Sequence, residues 1–192
     1  MRRARPRKKP PGRRETGRDR DAALLLLSVS FLLGAAAGIL LERLLPGEGY
    51  GARFWQAAGE GFSAPPLWLE VWAACRWPAA LLLLSVLPLR GGTVPTLFFL
   101  RGTLLSYCLL SLAGGGSLRE LAGTAAALGP ACLLTVPVLF LMGTECLLLA
   151  AGEERGRRRL WGKTALCLPL LALAVLTGQA LVPALLTALF SG

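Results

Sequence analysis

The sequence contains no histidine and no asparagine. Their absence removes histidine-based zinc sites, histidine general bases and Ser-His-Asp triads from consideration. Cysteine is sparse and scattered. Cys75, Cys108, Cys132, Cys146 and Cys167 form no Cys-x-x-Cys pair, so a disulfide framework or thiolate metal site is not expected, and they read as small packing residues. Acidic residues are few, 11 against 21 Lys and Arg, for a net charge of +10. What is scarcest is charge inside the long apolar blocks. From Ala22 to Gly192 the chain is a series of such blocks, and only Arg101 and Glu145 lie well inside one.

Apolar residues make up 54% of the 192 positions and run on for about 20 at a time, the length a helix needs to cross roughly 30 Å of hydrocarbon. A soluble domain would instead show them periodically, on one face of each element. The fold class read from this pattern is all-α: a polytopic membrane helix bundle of about five transmembrane helices.

Residues 1–21 carry ten Lys or Arg, three acids and three prolines without hydrophobic periodicity, and read as a disordered basic tail drawn to anionic lipid head groups. The tail has no aromatic side chain for base stacking, and no nucleic-acid role is assigned. Residues 22–192 read as a single transmembrane domain.

The first span is expected from about Ala22 to Leu41 as an uncleaved helix, because the apolar run continues past Ala35-Ala36-Ala37. Its Gly34 and Gly38 form a Gly-x-x-x-Gly, which lets another helix approach closely. The interval 42–76 holds Trp55, Trp68 and Trp72, with Trp77 at its edge, and frequent Gly and Pro. Within it, Leu67 to Arg76 reads as a short interfacial helix whose apolar face carries Trp68, Val71, Trp72 and Cys75. Trp68 and Trp72 are candidates either for an anchoring aromatic belt or for docking a partner.

The second span is expected over about Trp77 to Leu89, short unless it takes in the Leu67 to Arg76 helix. The third runs over about Thr93 to Ala113. Ser117 and Glu120 resemble a capping box. The fourth, about Leu121 to Leu149, is expected to be broken or bent at Gly129-Pro130 and Pro137. The fifth, about Thr164 to Phe190, follows the basic loop 151–163. Positive charge concentrates in the tail and in that loop, so both are expected to be cytoplasmic, with the loop 42–76 and the C-terminus external.

Arg101 and Glu145 leave three readings open: an arginine snorkelling to the interface, a structural intramembrane pair between antiparallel neighbours, or the lining of a pathway. No nucleophile–base pair accompanies them, so an enzyme is not expected, nor a metal or cofactor.

Phe98-Phe99-Leu100-Arg101-Gly102, followed by Leu104-Leu105, resembles the stage II sporulation protein M family. The stretch from Gly129-Pro130 through Val136-Pro137 to Met142-Gly143 is similar to the family's fourth helix, and the opening helix Leu24 to Gly38 matches as well. Phe99, Arg101, Gly102, Pro130 and Pro137 carry the likeness. It implies a bacterial inner-membrane scaffold without catalytic activity. In endospore formers such a scaffold holds peptidoglycan-degrading partners, stage II sporulation proteins D and P, at the septal membrane during forespore engulfment. The other reading of the residues is a small transporter or permease subunit for an anionic solute, with Arg101 on its path.

Overall fold

An irregular loop inside water-free hydrocarbon would leave backbone N–H and C=O groups without partners, so long apolar runs settle into helices. The computed structural model follows that rule. It describes residues 13–45, 51, 53–56, 65–86, 90–113, 118–150 and 156–190, and among these no strand occurs. Five long helices follow in order: α1 (Arg13–Leu44), α2 (Leu67–Val86), α3 (Arg90–Leu112), α4 (Leu118–Ala150) and α5 (Gly156–Leu176). A π-helical turn, Thr177–Leu181, joins α5 to α6 (Val182–Phe190), and the three pieces make one continuous final span.

Among the described residues, five segments are long and apolar enough to cross a membrane. Their outward faces are apolar as well. Leu25, Leu32, Leu83, Leu133 and Leu166 are each at least about two-thirds exposed. Large apolar side chains turned outward along every span require an apolar solvent, and the chain is a membrane protein of the all-α bundle class.

Four features differ from the sequence reading. Residues 13–21 are helical and extend α1 into the region read as a disordered tail, because Arg and Glu are good helix formers and an established helix propagates at little cost. Leu67 to Arg76 is not a separate interfacial helix but the first half of α2, which continues through Pro78. The interval between α1 and α2 is shorter than 42–76 as a result. The fourth helix is not broken: α4 is helical for 33 residues through Pro130 and Pro137. A break there would strip hydrogen bonds from backbone groups in an apolar setting. The irregular turn lies instead in the fifth span, where Val182 N–H donates to the Thr177 carbonyl across five residues. Ser117 of the supposed capping box, and residues 1–12, lie outside the described residues.

The helices bury two clusters. The larger joins Leu27, Leu81, Val94, Phe98, Val138, Met142, Cys146 and Cys167, and the smaller joins Trp55, Leu112, Val182 and Leu186. The five cysteines are free thiols. The most extensive helix pairing is α1 against α3, with α4 packed on every other span.

Candidate functional site

Three side-chain groupings stand out within the bundle. The first sits at the end where α1 begins, α4 ends and α5 begins. Glu145, near the end of α4, is fully buried, and both of its partners reach the same carboxylate oxygen. Arg20 Nη2 lies 2.6 Å and Lys163 Nζ 2.5 Å from Glu145 Oε1. Arg20 is 41% exposed and Lys163 27%, so the cations sit at the rim while the anion sits inside. The node ties α1, α4 and α5 together. Glu145 Oε2 is buried and makes no hydrogen bond.

Arg101 is not a partner of Glu145. The pair expected between them is not formed, because the first turns of α1 and α5 bring two cations to the carboxylate from closer to its own end of the bundle. Neither cation stands out in the sequence. Lys163 was legible in principle: α4 and α5 are joined by a short connection, so a lysine in the first turns of α5 returns to the depth of Glu145. Arg20 was not, because it belonged to a segment read as disordered.

The second grouping lies about half way along the bundle. Arg101 on α3 is half-buried, and its guanidinium carbon stands 5.2 Å from the centre of the Trp77 ring. Arg76 on α2 stands 5.7 Å from the same ring. Both distances fall in the range of a cation–π contact. Trp77 Nε1 and Arg101 Nε are buried without hydrogen-bond partners. A space of about 10 Å³ opens beside Arg101 between Phe31, Phe98, Val136 and Phe140, no larger than one water needs. Phe140 meets both Phe31 and Phe98 edge to face, at centroid separations of 5.9 and 5.0 Å.

The third grouping is the seam between α1 and α3. Gly34, Gly38 and Gly102 are buried where the two helices cross. A Cβ on Gly34 would fall on the Phe99 carbonyl, one on Gly38 on Ser106 Oγ and the Thr103 carbonyl, and one on Gly102 on the Phe31 carbonyl. Ser106 Oγ donates across the seam to the Ala35 carbonyl at 2.8 Å. Phe99 directs its side chain outward and Gly102 packs directly against the α1 backbone, so the Phe99-Arg101-Gly102 motif is divided between the seam and the Trp77 contact. Pro130 is half-buried and Pro137 exposed on α4.

Toward the opposite end, Trp55 is buried and donates from Nε1 to the Leu112 carbonyl at 2.8 Å. Gln179 in the π turn donates to the Pro65 carbonyl at 2.7 Å, and the Glu70 carboxylate lies over Gly178 of the same turn. Trp68 and Trp72 do the reverse of Trp55: they are 67% and 62% exposed on the outward face of α2. Among the described residues no group of three or more Cys, Asp or Glu is placed to hold a metal ion. Comparison with family models, with curated proteins and with solved structures finds no match to this chain.

Proposed function

We propose that this chain is a membrane scaffold that positions peptidoglycan-degrading partners, as the stage II sporulation protein M family does at the septal membrane during forespore engulfment. The observation that carries the reading is the contrast among the tryptophans. Trp55 and Trp77 are spent on the bundle and Trp161 stands outward alone on α5, whereas Trp68 and Trp72 stand outward together, one turn apart, on α2. Exposed indoles are the side chains that most often anchor a protein interface. The frame behind them suits a rigid support: α1 is locked to α3 by glycine contacts, and α4 is tied at one end to α1 and α5 through Glu145.

The scaffold sits in the inner membrane with the Arg20 and Lys163 end cytoplasmic, since basic residues gather at that end. Trp68 and Trp72, early in α2, then lie toward the outer leaflet, on the side of the cell wall. The partners resemble stage II sporulation proteins D and P, and chemistry on the wall belongs to them. A path for an anionic solute is the weaker reading, because the space beside Arg101 admits one water.

The test is recovery of the hydrolases. Replacing Trp68 and Trp72 by Ala lowers recovery of the peptidoglycan hydrolases in a detergent pull-down by about tenfold, the loss expected for two interface anchors, while membrane insertion is unchanged. Undiminished recovery refutes docking at these indoles. A fluorescent fusion that stays uniformly distributed through sporulation refutes the septal scaffold altogether.

A further inference from the structure

The outward face of α2 carries an arginine where lipid tails would be. Trp68, Trp72, Arg76, Ala79 and Leu83 recur at helical spacing and are all exposed. Arg76 lies nine residues from the start of α2 and ten from its end, about 14–15 Å from either. Arg101 lies about 16–17 Å from either end of α3 by the same measure. Two guanidinium groups therefore face one indole near mid-depth. Among the described residues, no carboxylate pairs with either of them.

A charged side chain at this depth ordinarily faces the bundle interior and meets an opposite charge. Arg101 meets the first condition and Arg76 meets neither. An exposed Arg76, its guanidinium over the Trp77 ring, on the face that carries two outward indoles has the composition of an interface core, in which aromatic side chains and arginine predominate.

We infer that the Trp68–Trp72–Arg76 face of α2 receives a transmembrane helix of another protein, and that this helix carries an Asp or Glu at mid-depth opposite Arg76. Charge complementarity selects the occupant. The face offers positive charge and aromatic surface, so the partner supplies negative charge and small or apolar residues. A second copy of this chain does not fit. Among the described residues, its Glu145 is already shared by Arg20 and Lys163, its Glu70 lies near one end of α2, against Gly178, and Asp19, Asp21, Glu42 and Glu120 lie near the ends of α1 and α4, away from mid-depth. The inference rests on the scaffold reading and deepens it: the membrane anchor of a partner, rather than its extracellular domain, is what the scaffold grips.

The test uses the full chain in phosphatidylcholine vesicles and synthetic leucine-rich transmembrane peptides with a single central Asp or with Leu in its place. Energy transfer between labelled chain and labelled peptide reads association. The Asp peptide binds about tenfold more tightly than the Leu peptide, the scale of one buried polar contact between membrane helices. Arg76→Gln removes that preference and Arg76→Lys keeps most of it. Equal binding of the two peptides to the unaltered chain overturns the inference, whatever the stability of the variants. So does a preference that survives Arg76→Gln. Loss of Asp-peptide binding when phosphatidylglycerol is added assigns the face to lipid phosphate instead. Self-association of the chain that Arg76→Gln abolishes assigns it to a second copy. Septal localisation is read separately in sporulating cells, so a scaffold that localises but ignores the Asp peptide fails here alone.

Discussion

Glu145 shows how one buried carboxylate organises an end of the bundle. It is fully buried and takes two cations on one oxygen, so removing its charge leaves Arg20 and Lys163 facing each other without their counter-ion. Glu145→Gln is expected to lower stability by about 2–4 kcal/mol, toward the range for breaking a buried pair. Thermal unfolding in detergent measures it. A double-mutant cycle between Glu145→Gln and Lys163→Gln should return a coupling of about 1–2 kcal/mol. The same cycle between Arg101→Gln and Glu145→Gln should return none, because Arg101 engages Trp77 rather than Glu145. The sequence marked both residues as exceptional, since a charge inside an apolar run is visible in one dimension. It did not reveal their partners. An ion pair depends on the depth and azimuth of side chains on different helices, and Glu145 lies nearer its helix end than Arg101 does, within reach of Arg20 and Lys163 instead.

At the scale of elements, the tightest contact is the crossing of α1 and α3, built on Gly34, Gly38 and Gly102. In lipid, helices gain no hydrophobic advantage by associating, so close backbone approach and hydrogen bonds such as Ser106 to Ala35 hold them. Gly34→Ala and Gly102→Ala place a methyl group against backbone and are expected to destabilise the fold by about 1–3 kcal/mol. Gly162→Ala on α5 meets nothing within 4 Å and is expected to be neutral or stabilising by up to about 1 kcal/mol. Melting temperatures of the three variants separate a packing role from helix propensity. The Gly-x-x-x-Gly was plain in the sequence, but which helix fills it was not. Proline was a poor guide to helix integrity: α2 passes Pro78 and α4 passes Pro130 and Pro137, while the π turn precedes Pro183. In hydrocarbon the penalty for unsatisfied backbone outweighs the local preference of proline to end a helix. That is why Leu67 to Arg76, read from the sequence as a separate interfacial helix, belongs to a full span that passes Pro78, and why Arg76 and Trp77 lie near its middle.

For the whole molecule, the distribution of basic residues sets the proposed orientation. Alkaline phosphatase fused after Gly192 should be active and a fusion at the connection between α4 and α5 inactive, since the enzyme matures only outside the cytoplasm; the reverse pattern inverts the proposed topology. The all-helical class, five spans and the membrane as solvent were determined by the sequence alone, because hydrocarbon demands long uninterrupted apolar helices and leaves few alternatives. The tertiary structure decided what lies between the spans: that α3 fills the glycine seam of α1, that Glu145 is held by Arg20 and Lys163, and that Arg76 and Arg101 share Trp77. Those arrangements depend on how each helix is rotated about its axis. Rotation is set by packing among neighbours, and a sequence whose apolar residues surround every helix carries little periodic signal of it.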